Sequence, residues 1–207
     1  MTTTAIIGTG NIGAALARVF ARNRVEAMLA NTRGPDSFTD LSAEVGPTVQ
    51  ATTIDEARKA DVLFLAIPFL AVEPFGASQP RWNGKIIVDV TNASAAHAPN
   101  EPGVPLDEVL AGRLSTEIVT DAFPGAEVVK AFNQLPASVV SRQLSADEGK
   151  IVIFISSNSE TASKELARLT EMLGYSPVEL GRVDEGGRLI EVGNPLTLRL
   201  FTERTMF

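Results

Sequence analysis

The feature that most constrains the fold is a glycine-rich run between a short apolar stretch and an amphipathic one. Residues 4–7 favour a strand, Gly8-Thr9-Gly10-Asn11-Ile12-Gly13 follows, and residues 12–22 have apolar side chains at helical spacing. Glycines at this spacing, between a strand and a helix, are typical of a loop that binds the pyrophosphate of a dinucleotide. The alternative, a glycine-rich turn without a ligand, fits this strand-loop-helix context less well.

Apolar, β-prone stretches alternate with helical ones along most of the chain. This pattern predicts an α/β fold of the Rossmann type, a doubly wound and mainly parallel eight-stranded sheet covered by helices on both faces. The predicted strands are 4–7, 26–30, 48–51, 62–67, 85–89, 127–131, 150–155 and 176–179. The predicted helices are 12–22, 37–45, 54–60, 106–122, 137–143, 160–173 and 189–204.

Composition excludes several classes of function. With 25 acidic and 18 basic residues the formal charge is −7, which argues against nucleic acid as a partner. The chain has no cysteine, so disulfides, thiolate zinc sites and a cysteine nucleophile are excluded, and the scattered carboxylates have no metal-ligand spacing. No apolar run reaches the roughly 18 residues of a membrane span, and the start lacks the features of a secretion signal. We therefore expect a cytoplasmic protein without a membrane partner.

The end of the second predicted strand indicates which dinucleotide binds. An acidic residue there would favour NAD, whereas this chain has Asn31-Thr32-Arg33. Thr32 can hydrogen-bond a phosphate, and the Arg33 guanidinium can pair with the 2′-phosphate of NADP(H). Because Arg33 could also be an ordinary solvated arginine, NADP(H) is the favoured cofactor rather than the only one possible.

Residues suited to acid–base or nucleophilic catalysis are scarce. The single histidine, His97, lies in a long loop over residues 91–105, and no nucleophile motif accompanies it. Tyr175 and Trp82 fall in predicted turns, and Lys130 lies within a strand, where it is expected to pair with a carboxylate such as Asp89. The sequence therefore predicts no catalytic side chain.

Several segments together resemble one family. They are residues 7–13, 31–33, 65–69, 84–92, 128–137 and 173–181, followed by Glu191 and residues 194–196. The chain resembles the NADPH-dependent reductases of the deazaflavin coenzyme F420, and is similar to the cytosolic oxidoreductase domain of six-transmembrane metalloreductases. The segment 130–137 is more specific than the glycine run, which many Rossmann proteins share.

The resemblance implies where the two ring systems meet. Ile67 and Pro68 would lie along the cofactor and Asn92 near the nicotinamide, with Ala131 also at the cofactor. Phe132, Asn133, Leu135 and Pro136 would line the pocket of a second ring. All follow the ends of predicted strands, although the prolines could simply end strands and the asparagines could cap helices.

Hydride transfer between two rings requires mainly that the protein positions them. The predicted activity is therefore transfer between NADP(H) and a flavin or deazaflavin, namely F420, FMN, FAD or riboflavin. A non-catalytic NADPH sensor and, less favoured, a carbonyl or imine reductase are the alternatives. Residues 1–183 are expected to form the NADP-binding domain, and residues 184–207 a helical extension packed on it or on a partner. The apolar residues of that extension and the family resemblance favour a homodimer.

Overall fold

The structure is a computed structural model that describes residues 2–93, 106–145 and 147–204. Its centre is one sheet in the order β3-β2-β1-β4-β5-β6-β7-β8. The strands from β3 to β6 are parallel, β7 is antiparallel to β6, and β8 is parallel to β7. A short β9 pairs with β7. The strands are β1 (Thr4–Ile7), β2 (Ala27–Ala30), β3 (Val49–Ala51), β4 (Val62–Leu65), β5 (Ile86–Asp89), β6 (Glu127–Ala131), β7 (Lys150–Ser157), β8 (Ser176–Glu179) and β9 (Thr202–Glu203).

Helices connect these strands and cover both faces of the sheet. They are α1 (Asn11–Arg22), α2 (Thr39–Val45), α3 (Ile54–Ala57), α4 (Val72–Gly76), α5 (Leu106–Leu110), α6 (Ser115–Ala122), α7 (Ala137–Val140), α8 (Glu160–Met172) and α9 (Arg188–Ile190). Short 3-10 helices span Pro35–Phe38, Gly46–Thr48 and Phe69–Ala71, and a π-helical turn spans Val183–Gly187. Among the described residues, none of the helices has the length and apolar character needed to cross a bilayer.

The predicted fold class is confirmed, and the strands explain why it could be predicted. The central strands β1 and β4 are buried along their whole length, because helices cover both faces of a parallel sheet. One apolar cluster, under α1, α7 and α8, contains Phe20, Phe64 and Phe132. The opposite cluster contains Trp82 and Phe123.

Two helix predictions are wrong. The predicted helix 106–122 is broken between α5 and α6, where Ala111 and Gly112 have φ of 48° and 79°. The predicted terminal helix 189–204 is only the short α9 followed by turns and β9. Gly193 and Leu198 in that segment also have positive φ, which an α-helix does not permit. The segment at α4 is a helix that the sequence reasoning missed.

The strand order reverses between β1 and β4, so the carboxyl ends of these two strands form a crevice. Open α/β sheets bind ligands at this point, beyond the carboxyl ends of the strands. The glycine run follows β1 directly and therefore lies in this crevice.

Candidate functional site

The three glycines of the loop have different surroundings. A Cβ atom on Gly8, whose φ is +114°, would lie 2.1 Å from the carbonyl oxygen of Ala66, which follows β4. A Cβ atom on Gly13 would lie 2.0 Å from the carbonyl oxygen of Gly8. A Cβ atom on Gly10 would meet no atom within 4 Å. Gly8 and Gly13 are therefore required by packing, whereas Gly10 leaves an open approach to the backbone.

The open side at Gly10 is the start of α1, the helix that runs over the sheet. Gly10 is the N-cap residue, and the first turn of α1 has no acidic side chain. Backbone N–H groups at a helix N-terminus favour a bound anion, because the first few have no partner within the helix. The loop, Thr9 and Asn11 included, therefore fits the pyrophosphate of a dinucleotide, and Ile12 is half-buried behind it.

Asn31 connects this loop with the end of β2. Its Nδ2 atom donates hydrogen bonds to Thr9 Oγ1 (2.8 Å) and Ser37 Oγ (2.9 Å). Its Oδ1 atom accepts from the backbone N–H of Arg33 (2.9 Å). Asn31 is buried, so it braces the loop, whereas Thr32 and Arg33 are exposed. Arg33 has no salt-bridge partner among the described residues.

The end of β4 also reaches this edge. Ile67 is half-buried, and its Cγ2 atom would lie 3.3 Å from a Cβ atom on Gly8, so it stands beside the glycine loop. Pro68 follows it and is exposed. Both residues therefore follow β4 beside the glycine loop, and their contact with the cofactor stays a prediction.

Three of the predicted side chains are not at the surface. Ala131 and Phe132 are fully buried and Leu135 is 6% exposed. The Phe132 ring packs edge-on against the rings of Phe64 and Tyr175, with centroids 5.7 and 5.6 Å apart. The apolar core takes up these side chains in this structure, and their predicted place at the cofactor or acceptor pocket stays a prediction. Phe132 has φ of +61°, so it shapes the edge through its backbone turn.

Two asparagines that follow β5 and β6 are joined at this edge. Asn92 Nδ2 donates to the carbonyl oxygen of Asn133 (2.8 Å), and Asn133 Nδ2 donates to Asn92 Oδ1 (3.0 Å). Asn133 Nδ2 also donates to the carbonyl oxygen of Ile190 (2.7 Å). Asn133 Oδ1 is buried and accepts no hydrogen bond from the described residues. Asn92 and Pro136 are exposed beside it.

Beneath the two asparagines lies a buried ion pair. Lys130 Nζ and Asp89 Oδ2 are 2.9 Å apart, and both side chains are fully buried. The predicted pairing of these residues is confirmed. Lys130 Nζ also donates to the carbonyl oxygen of Thr91 (2.7 Å) and to Ser115 Oγ (3.3 Å).

The sequence reasoning missed the residues that complete this network. Asp89 Oδ1 accepts from the N–H and the hydroxyl of Thr91, and Asp89 Oδ2 also accepts from the hydroxyl of Thr116. Ser115 Oγ donates to Glu191 Oε1 (2.8 Å). These are ordinary loop and helix-start residues in sequence, and a polar Lys and Asp in adjacent apolar strands are the one signal that could have indicated the network.

Two of the remaining candidates, Tyr175 and Trp82, are buried and hydrogen-bonded to backbone carbonyls. Tyr175 is buried, donates its hydroxyl to the carbonyl oxygen of Val140, and has its pKa raised by burial. Trp82 is buried and donates from Nε1 to the carbonyl oxygen of Gly76. His97 and most of the predicted 91–105 loop lie outside the described residues. Within the described ranges there is no group of three or more His, Asp or Glu that could hold a metal ion.

This chain is similar to one family model and to several solved structures. A family model described as NADP oxidoreductase, coenzyme F420-dependent, matches residues 3–93. The solved structure of a hypothetical protein, SMa0349 from Sinorhizobium meliloti, is 39% identical, covers 98% of this chain and 96% of that one, and superposes with a TM-score of 0.89. A solved structure described as an F420-dependent NADP reductase from Arthrobacter sp. FB24 is 23% identical over 89% of this chain and 86% of that one. Its TM-score of 0.65 shows the shared fold.

A curated relative extends the likeness beyond the family-model match. The mouse metalloreductase STEAP2 is 25% identical over 201 residues, which are 97% of this chain and 37% of that protein. This chain therefore spans little more than a third of the length of that relative. The similarity covers both the glycine loop and the segments that follow β5 and β6.

Proposed function

We propose that this chain, whose residues 3–93 match the family model of coenzyme F420-dependent NADP oxidoreductases, transfers a hydride between NADP(H) and a flavin or deazaflavin. The family match supports an NADP oxidoreductase, and the flavin or deazaflavin as second substrate is the finer part of the proposal. The observation that carries the proposal is an open dinucleotide loop that adjoins an edge whose described acid–base side chains, Asp89, Lys130 and Glu191, are engaged in hydrogen bonds within the protein. Transfer between two rings needs orientation and exclusion of water rather than a proton donor.

The residues at the loop fit the cofactor. Gly10 leaves the backbone open for a pyrophosphate, and the N-terminus of α1 favours its charge. Ile67 and Pro68 would lie along the nicotinamide, which carries the hydride when NADPH is bound. Asn92 follows β5 at the same edge and would border the nicotinamide on the far side.

The second ring would lie beside Asn133 and Pro136. The buried Oδ1 atom of Asn133 can accept a hydrogen bond that no described residue supplies, and a buried acceptor without a partner carries a free-energy cost. An N–H group of a bound ring system, reached by a small shift of the edge, would satisfy it. This orphaned acceptor supports a ring with amide-like N–H groups, as flavins and deazaflavins have.

Choice of NADP(H) over NAD(H) is assigned to Arg33. Its exposed guanidinium stands after β2, where the ribose of the adenosine half would lie. Arg33→Ala should weaken NADPH binding by about 10- to 100-fold, because a charge-assisted hydrogen bond to phosphate is lost, and leave NADH binding unchanged. Fluorescence titration measures both, with the exposed and remote Arg81→Ala as the control. An equal loss for both cofactors would contradict the assignment.

Anaerobic absorbance at the reduced-nicotinamide band tests the activity. The protein and NADPH would be mixed in turn with F420, FMN, FAD and riboflavin, with NADH replacing NADPH as the control. Oxidation with one acceptor names the second substrate. Tight NADPH binding without oxidation by any ring acceptor would overturn the proposal in favour of a sensor, and turnover of a carbonyl or imine instead would indicate the other reductase class.

We also propose that the chain forms a homodimer through the segment after β8, which belongs to the predicted extension 184–207. Six of the eight exposed large apolar side chains of the described residues lie here or in β8: Val178, Leu189, Val192, Leu198, Leu200 and Phe201. Exposed apolar side chains concentrated in one stretch of the chain are typical of an interaction site. Sedimentation at micromolar concentration should give a dimer that Leu198→Glu, at the most exposed of these positions, dissociates. A single species of 22.0 kDa for the unaltered chain would contradict the dimer.

A further inference from the structure

We propose that Lys130 is a positioning residue for the hydride transfer, acting through the backbone of Thr91 on Asn92 and Asn133. The inference rests on the proposed function, because it assumes that these two asparagines border the reacting rings. It assigns a role in turnover to a side chain that has no exposed surface and touches neither substrate.

The hydrogen bonds of Lys130 are all used inside the protein. Nζ has three donor positions and three acceptors, namely Asp89 Oδ2, the Thr91 carbonyl and Ser115 Oγ. The ammonium group therefore has no free donor position for a ligand. Lys130 therefore acts by holding its neighbours in place.

The pair is not needed for burial alone. Replacing a buried ion pair by apolar residues of similar volume is often neutral or stabilising, so a buried pair is weak grounds for assigning a stability role. What an apolar pair cannot do is fix backbone groups by hydrogen bonds. Here Thr91 is fixed on both sides, since its N–H donates to Asp89 Oδ1 and its carbonyl accepts from Lys130 Nζ.

The fixed peptide leads directly to the edge. Asn92 is the next residue after Thr91, and it exchanges two hydrogen bonds with Asn133, which lies three residues after Lys130. The same ammonium group reaches Ser115, which binds Glu191, and Asn133 binds the carbonyl of Ile190. One buried cation thus holds three segments that converge on the edge: those after β5, after β6 and after α9.

A pair of double variants tests the proposal. Asp89→Asn/Lys130→Met is neutral, keeps an acceptor for Thr91 N–H and keeps the burial, but it has no donor for the Thr91 carbonyl. Asp89→Asn/Lys130→Gln is also neutral and restores a donor. Glu160→Gln/Lys164→Met removes an exposed ion pair of α8, at the opposite edge of the sheet, and is the control.

The readouts are thermal unfolding, NADPH affinity, steady-state kinetics and the side-chain amide signals of Asn92 and Asn133 in 15N NMR. For the Met variant we expect a folded protein, NADPH affinity within about twofold, shifted amide signals, and a kcat lower by about 10- to 100-fold, because a misplacement of about 1 Å has an effect of that size. The Gln variant should recover about fivefold in kcat, the worth of one hydrogen bond, and it remains the test if the Met variant fails to fold.

Three results would overturn the assignment: a folded Met variant with unchanged kcat, equal kcat for the Met and Gln variants, or amide signals like those of the unaltered chain. A loss of kcat/KM that only follows a loss of NADPH affinity would also do so, since it indicates a purely structural role. Failure of the unaltered chain to oxidise NADPH would instead contradict the proposed function. The amide signals would then still decide whether Lys130 holds this edge.

Discussion

The two ends of the ligand edge are built in different ways. The phosphate end, Gly8–Gly13 with Asn31, is held by close approach of backbone to backbone, where an added carbon would lie about 2 Å from a carbonyl oxygen. The proposed acceptor end, Asn92 and Asn133 above the Asp89–Lys130 pair, is held by side-chain hydrogen bonds between residues distant in sequence. The first end is sensitive to an added carbon at Gly8 or Gly13, and the second is sensitive to the loss of a polar partner.

The largest effect is expected at the acceptor end. Lys130→Met alone leaves the Asp89 carboxylate buried without its cation, which should lower the free energy of unfolding by about 3–5 kcal/mol. Arg18→Met, at the exposed Arg18–Glu44 pair, should lower it by less than about 1 kcal/mol. Denaturant unfolding measures both. Equal losses would remove the distinction between the buried and the exposed pair.

A smaller effect is expected from a methyl group at the phosphate end. Gly13→Ala should lower the free energy of unfolding by about 1–3 kcal/mol, because its Cβ meets the Gly8 carbonyl. Gly10→Ala should change it by less than about 1 kcal/mol, since its Cβ meets nothing, yet it should weaken NADPH binding by more than about tenfold. Unfolding and titration with NADPH separate the two positions. If Gly13→Ala weakened NADPH binding and Gly10→Ala lowered only the stability, the phosphate would have to bind elsewhere.

Asn31→Ala tests whether the phosphate end also depends on a polar brace. It removes the bonds to Thr9 and Ser37 and to the N–H of Arg33, so about 1 kcal/mol of stability and a few-fold of NADPH affinity should be lost. Thr52→Ala, at a half-buried threonine after β3, is the control. Unchanged affinity for NADPH would show that the backbone alone shapes this end.

The smallest effect is expected far from both ends. Hydrogen bonds from the N–H and hydroxyl of Thr3 lower the pKa of Asp61 at the amino-terminal edge of the sheet. The resulting stability is present above the ordinary carboxyl pKa, about 4, and is lost as the pH falls through the lowered value. Because Asp61 is exposed and screened, Asp61→Asn should change stability by less than about 1 kcal/mol near pH 7. It should also flatten the acid limb of a pH–stability profile.

The difference between the two ends also decides what could be predicted from the sequence. The eight main strands and the glycine loop were predictable because each is indicated by a local pattern. The strands are short apolar runs, and the loop has a characteristic spacing of glycines. The structure keeps the predicted bounds of 4–7, 127–131 and 176–179 unchanged. The breaks at Gly112 and Gly193 were not predicted, because apolar spacing continues across residues whose backbone cannot be helical.

At the proposed acceptor end, the sequence led us to expect pocket side chains at positions where the structure has core side chains. Phe132 looks like a stacking residue in sequence, yet its left-handed backbone turns the ring into the core between Phe64 and Tyr175. Ser115 had no motif to mark it, and the resemblance included Glu191 without a role, since the contact between them depends on how α6 and the segment after α9 pack together. Long-range side-chain contacts of this kind are set by tertiary structure, which periodicity does not describe.

The attachment of the late segment to the edge has a consequence for the order of assembly during synthesis. The strands that hold the glycine loop, β1, β2 and β4, have all been synthesised once residue 65 has been added. The contacts of Ile190 with Asn133, of Glu191 with Ser115 and of the Leu198 N–H with the Gln134 carbonyl can form only much later. Because nascent chains fold from the amino-terminal side, we expect the crevice between β1 and β4 to form before the contacts of this late segment.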